Sequence, residues 1–228
     1  MRLFLRNNGL SLALFGLFAF SLIGHAAAGY RVENGERAMH GESEISLGAY
    51  LQTGSFVESV AENWESEFLQ MAAFVVLTVF LYQKGSPESK DPDGPPSNTV
   101  LANDSDAPWP VRRGGIFAQL FGHSLSIALF LLFAASFAVH VVGGARKASA
   151  EATSHGAPSV SAIEYLGTAQ LWFESFQNWQ SEFLSMGLLV VLSIFLREKS
   201  SPESKPLELI PPPGSRFDLH TEVASEER

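Results

Sequence analysis

The chain has no cysteine among its 228 residues. A disulfide frame, a thiolate metal site and a cysteine nucleophile are excluded together, and the redox compartment cannot be read from thiols. Charge is also scarce. Only 17% of residues are charged, against 46% apolar and 11% aromatic, which is too little charge for an ordinary soluble domain of this size. The net charge of −9 comes mainly from acidic loops and the C-terminal tail. A basic stripe that would track a phosphate backbone is missing, so nucleic acid is not an expected partner. No G-x-x-x-x-G-K-S/T, H-E-x-x-H, G-x-S-x-G or G-x-G-x-x-G is present. No catalytic residue is therefore assigned, and the expectation is a protein that is not an enzyme.

What is there is concentrated. A mean hydropathy of +0.11 averages over four dense apolar blocks, separated by segments rich in Gly, Pro, Glu and Asp. Sliding the sequence against itself by 115 positions aligns residues 10–90 with 125–205 without a gap, and 37 of those 81 positions are identical. Such a match is a tandem duplication, which dictates the architecture before any single helix is considered. The strongest blocks are LSLALFGLFAFSLIGH against LSIALFLLFAASFAVH, and NWESEFLQMAAFVVLTVFLYQKGSPESK against NWQSEFLSMGLLVVLSIFLREKSSPESK.

The blocks predict four membrane spans, at about residues 10–28, 63–82, 116–142 and 178–196. The first and third hold no Asp, Glu, Lys or Arg and are long enough for about 30 Å of hydrocarbon at about 1.5 Å per residue. The second and fourth have shorter apolar cores, so each helix must reach back to Asn63 or Asn178, which brings Glu67 and Glu182 to the membrane boundary. Residues 1–90 form the first two-span repeat and 116–205 the second. The Pro- and Asp-rich segment 91–115 reads as a flexible cytoplasmic linker, and 206–228 as a disordered cytoplasmic tail. The fold class expected is an all-α membrane protein, four transmembrane helices plus outer-face amphipathic helices.

Arg2 and Arg6, a short apolar run and Ala26-Ala27-Ala28 also fit a cleavable signal peptide. The repeat argues against that reading, because the matching segment lies mid-chain behind Arg112 and Arg113 and ends without the small-residue site. Arg2, Arg6, Lys84, Lys90, Arg112, Arg113, Arg197, Lys199 and Lys205 flank one side, against Arg31, Arg37, Arg146 and Lys147 on the other. Both termini and the linker are therefore expected in the cytoplasm. An even number of spans per copy sets both copies the same way up, unlike the inverted repeats of many transporters.

Trp64, Glu67, Phe68 and Met71 recur at helical spacing, and Trp179, Glu182, Phe183 and Met186 repeat them. One reading makes Glu67 and Glu182 a proton or cation site, because carboxylates within a membrane are costly unless used or paired. The plainer reading is an interfacial anchor, with the indole at headgroup level and the carboxylate favoured in a first helical turn. Trp64, Trp179, Trp172, Tyr50 and Tyr165 are assigned as such anchors. His25 and His140 match across the repeat at the outer ends of spans one and three, as do His40 and His155. The first two imidazoles suit a b-type haem or a metal between helices. Against this stands the reading of interfacial histidines bonded to loop backbone, so no metal and no cofactor is assigned.

Before span four, Ile163, Leu166, Gln170, Phe173 and Phe176 follow helical spacing, and Leu47, Tyr50, Gly54, Val57 and Ala61 form a weaker series in the first copy. Both predict an amphipathic helix on the outer leaflet or packed over the bundle top. The SPESK motifs ending at Lys90 and Lys205 place a Pro just after a span, where it stops the helix or opens a short new one.

With its ENWESEFLQM block and the following FVVLTVFLYQKGSPESKDP, the chain resembles a family of uncharacterised bacterial membrane proteins carrying a domain of unknown function. The resemblance implies bacterial origin, four duplicated spans and inner-membrane residence, and carries no activity or site residue. The function expected is noncatalytic interaction, assembly or envelope homeostasis. The alternatives are a transporter or channel subunit using Glu67 and Glu182, and a haem or redox protein using His25 and His140. Expected partners are the lipid bilayer and either a second copy of the chain or another membrane protein.

Overall fold

In the computed structural model, residues 2–90 and 107–205 are described, and every regular element among them is helical. The elements are α1 (Arg2–Met39), α2 (Leu47–Tyr50), α3 (Gly54–Phe80), α4 (Trp109–Arg113), α5 (Gly115–Gly122), α6 (Ser124–Ser154), α7 (Ala162–Leu166) and α8 (Ala169–Phe195). Two helices, over Phe4–Met39 and Ser124–Ser154, are long and apolar enough to cross a membrane by length and composition.

Local chemistry explains where they stop. Gly41 (φ 71°) and Gly156 (φ 74°) take the left-handed conformation just past α1 and α6. The amide of Glu42 then reaches the Arg37 carbonyl at 2.8 Å, and that of Ala157 reaches Ala152 at 2.9 Å, so orphan carbonyls at both helix ends are satisfied. Ser46 caps α2, and Ser161 caps α7 in a full capping box with Glu164.

The third apolar block differs from a single helix over 116–142. It breaks at His123 into α5 and α6, and the His123 amide bonds back to Gln119 O, following a glycine that is a poor helix former. Beyond 142, α6 continues to Ser154, carrying Arg146 and Lys147 on a helix. The segment expected as a linker contains α4, where Pro110 occupies the first turn and Arg113 lies over the rings of Trp109 (5.3 Å) and Phe117 (4.4 Å). Residues 91–106 and the tail 206–228 lie outside the described residues. The amphipathic series are not separate surface helices either. Leu47 and Tyr50 lie on α2 but Gly54, Val57 and Ala61 on α3; Ile163 and Leu166 lie on α7 but Gln170, Phe173 and Phe176 on α8.

The chain forms two compact units, one of Met1–Ala72 with Ser124–Gln180, the other of Ala73–His123 with Ser181–Arg228. In the first, side chains such as Leu10, Phe15, Phe20 and Leu131 point outward. Its interior instead holds Glu58, Glu65, Ser66, His140 and Ser175 beside Leu171 and small residues. Beside these polar groups lies an apolar cluster of Val141, Ala145, Tyr165 and Leu171, while many large apolar side chains face outward, as lipid allows and water does not favour. In the second unit, Ser86 and Ser193 share a hydrogen bond of 3.1 Å, and the Gln83 and Glu198 amides donate to Ser89 Oγ (2.8 Å) and Ser204 Oγ (2.9 Å).

Candidate functional site

Within the first unit, α3 and α6 cross at glycines. A Cβ on Gly143 would meet the Glu58 amide nitrogen at 2.7 Å, and one on Gly54 would meet Gly143 O at 2.7 Å. Only hydrogen on those α-carbons permits backbone contact this close. Beside the crossing, Gly144 receives the ring of Tyr165, which is buried at 2% exposure. Gly29 and Tyr50 repeat this contact.

The crossing sets acidic residues of α3 against basic residues of α6. Glu58 and Glu65, two turns apart on α3, share its buried face. Lys147 Nζ donates to Glu58 Oε2 at 2.6 Å, and Tyr165 Oη lies 3.0 Å from both Glu58 Oε1 and Glu174 Oε2. His140 is fully buried, with Nδ1 2.7 Å from Glu65 Oε2 and Nε2 3.4 Å from Glu174 Oε2. Trp179 Nε1 donates to Glu65 Oε1 at 3.0 Å, and Gln170 Nε2 to Glu174 Oε1 at 2.7 Å. The result is one hydrogen-bonded chain from Trp179 through Glu65, His140, Glu174, Tyr165 and Glu58 to Lys147. Glu65 and His140 within it are fully buried, while the Lys147 side chain is 46% exposed.

Charge in this cluster is unbalanced. Glu62 lies within electrostatic reach of His140, Glu174, Glu58 and Lys147, so four carboxylates face one permanent cation and one imidazole. Burial first, and then the carboxylates of Glu58 and Glu174, push the Tyr165 phenol far above its ordinary range, which keeps it a hydrogen-bond donor. Glu58, His140 and Glu174 each offer one ligand atom, all within 4.8 Å of one another.

Several assignments made from sequence change here. The interior carboxylate of the NWESEF block is Glu65; Glu67, two positions on, is exposed. Glu182 is half-buried on α8 in the second unit. His140 has carboxylates for neighbours, whereas its match His25 shares a 3.0 Å hydrogen bond with Ser59. Tyr50 and Tyr165 are buried at 4% and 2% exposure and pack on glycines, so they are not surface anchors. Trp179 is half-buried on Glu65, Trp172 donates to Leu166 O at 3.1 Å, and Trp64 is exposed with its ring 6.0 Å from Phe18.

Glu58, Glu65, Lys147 and Glu174 were missed because repeat matching directs attention to positions that agree. At the 115-residue offset Glu58, Glu62 and Glu65 face Phe173, Gln177 and Gln180, while Glu174 faces Ser59 and Lys147 faces Val32. The usable signal was the disagreement: three glutamates at i, i+4 and i+7 on one helix face, with no charge at the matched positions.

Residues 1–210 match the family described as Domain of unknown function (DUF6766), and the chain belongs to it. No curated protein and no solved structure matches the chain.

Proposed function

We propose that this member of a family without an assigned activity is a noncatalytic, four-span bacterial inner-membrane protein that binds a cation at its interior carboxylate–histidine cluster, as a transport or channel subunit does. The observation that carries this reading is His140, fully buried between Glu65 and Glu174 in a cluster with more carboxylates than cations. Ionisable groups at membrane depth are expensive and are kept where they bind or pass an ion. The excess negative charge calls for a cation rather than an anion.

Four spans are supported by apolar side chains on the two further long helices, among them Leu77 and Phe80 on α3 and Leu184 and Phe195 on α8, all of which point outward. The duplication is supported by hydrogen bonds that recur at the 115-residue offset. Asn34 pairs with the Ile45 backbone as Ser149 does with Val160, and His40 Nδ1 meets Glu36 O as His155 Nδ1 meets Glu151 O. With the termini in the cytoplasm, Lys147 stands at the outer mouth of the bundle and His140 deeper along α6.

The test is complementation of a deletion strain. Glu65→Gln and His140→Gln, expressed at wild-type level in the membrane, fail to restore the wild-type phenotype. Full restoration by both would sink this reading. A second reading, assembly, is favoured by the contacts that join the two copies, Glu65 with Trp179 and Arg146 with the Gln52 carbonyl at 2.7 Å. Under it, Glu65→Gln and His140→Gln complement wherever they still fold.

A further inference from the structure

Resting on that reading, we infer that the bound cation is a first-row divalent transition metal, held by Glu58, Glu174 and Nε2 of His140. Imidazole nitrogen with two carboxylate oxygens is a donor set for Zn²⁺, Fe²⁺ or Mn²⁺, while Mg²⁺ and Ca²⁺ prefer oxygen alone.

Three observations beyond the presence of acidic side chains point to a metal. First, His140 is oriented as a ligand. Its Nδ1 is tied to buried Glu65 at 2.7 Å, and Glu65 is itself fixed by the Trp179 indole. A carboxylate on the far nitrogen of a histidine is the usual support of a metal-bound imidazole, setting both ring orientation and tautomer. Nε2 thereby faces Glu174, and a Glu58 oxygen lies within 4.8 Å of the other ligand atoms.

Second, the hydrogen bond on that side is long, and its spacing suits a shared ion. Nε2 and Glu174 Oε2 are 3.4 Å apart, well beyond the usual separation of about 2.9 Å for a nitrogen donor and oxygen acceptor. Donors about 2.1 Å from a tetrahedral metal stand about 3.4 Å from each other. All three ligand atoms lie within 4.8 Å, a gap that side-chain rotation closes.

Third, the residue that an arriving ion must displace is partly exposed. Lys147 reaches Glu58 from a side chain 46% exposed, so its ammonium can swing into the aqueous mouth. An ion entering there replaces the Lys147 ammonium on Glu58 and the long His140–Glu174 hydrogen bond, and any proton on Nε2 is released to water through the same mouth. Tyr165, bridging Glu58 and Glu174, holds the two carboxylates at matched positions as the lysine departs.

The experiment is Zn²⁺ titration of the purified full-length chain in detergent, by calorimetry, with metal content checked by mass spectrometry. Wild type binds one Zn²⁺ per chain. His140→Gln and Glu174→Gln abolish that stoichiometric site, and Glu65→Gln weakens it by about 10-fold to 100-fold. Lys147→Met strengthens it by removing the competing ammonium, a gain that a purely structural cluster does not predict. Because His140→Gln risks misfolding, ¹⁵N-imidazole NMR on the wild type gives a readout that needs no variant, with one histidine Nε2 shifting at one equivalent of Zn²⁺.

The inference is overturned if Zn²⁺ binding is unchanged in His140→Gln, if no histidine nitrogen moves, if equimolar Mg²⁺ displaces the Zn²⁺, or if the folded wild type shows no saturable binding. Loss of the metal result while Glu65→Gln and His140→Gln still fail to complement leaves the cation reading standing with a different ion. Full complementation by both removes that reading itself.

Discussion

His140 and Glu65, 75 positions apart in sequence, meet at 2.7 Å with neither side chain exposed. One lies on α6 and the other on α3. Burying such a pair is costly, and breaking it by removing one partner costs more, because the other is left without compensation.

Glu65→Leu is expected to lower stability by about 3 kcal/mol, since it strands both the His140 imidazole and the Trp179 N–H inside the bundle. Glu65→Gln, which retains an acceptor, costs less. Unfolding in mixed detergent micelles, followed by Trp fluorescence, measures both, and equal costs would show that the His140 contact contributes nothing specific.

Glu67→Gln is expected to change stability by less than about 0.5 kcal/mol, as exposed substitutions generally do. Glu67→Gln and Glu182→Gln together should also leave any deletion phenotype complemented. Failure of Glu67→Gln alone to complement would return the site to Glu67.

Gly144→Ala places a methyl group into the Tyr165 ring and is expected to cost about 1–3 kcal/mol. Because Tyr165 bridges Glu58 and Glu174, the same change should alter the aromatic near-UV circular dichroism. Gly143→Leu goes further: it meets the Glu58 backbone, which cannot yield as a side-chain tip can, and is expected to separate α3 from α6. Retention of wild-type thermal stability by Gly143→Leu would contradict the close crossing.

The absence of cysteine makes the topology directly testable with single introduced thiols. Cysteines replacing His40 and His155 should react with a membrane-impermeant maleimide in intact cells, while those replacing Ser89 and Ser204 should react only after permeabilisation. Labelling of all four from outside would refute four spans with cytoplasmic termini.

Helical character was legible from sequence because it depends on neighbours along the chain. Uninterrupted apolar runs are local features, whereas the caps at Ser46 and Ser161 and the left-handed Gly41 and Gly156 were not read from the sequence. The break at His123 was not, since an apolar run reports hydrophobicity and not continuity of hydrogen bonding. Half of the central pair was legible too, because the repeat singled out His140. Its partner was not, because periodicity placed Glu67 on the face with Trp64 and Phe68 but could not say which face turns inward.

By itself, the sequence determined a cysteine-free helical chain with long apolar segments and an internal 115-residue match. These follow from composition and periodicity, which act on each segment separately. Tertiary structure alone decided that Glu65 is buried and Glu67 is not, that Tyr50 and Tyr165 sit on glycines inside the first unit, and that Glu65 of α3 and Glu174 of α8 flank the buried His140 of α6. The physical reason is the backbone contact at Gly54 and Gly143, which sets the rotation of α3 against α6 and so selects which side chains leave solvent and lipid.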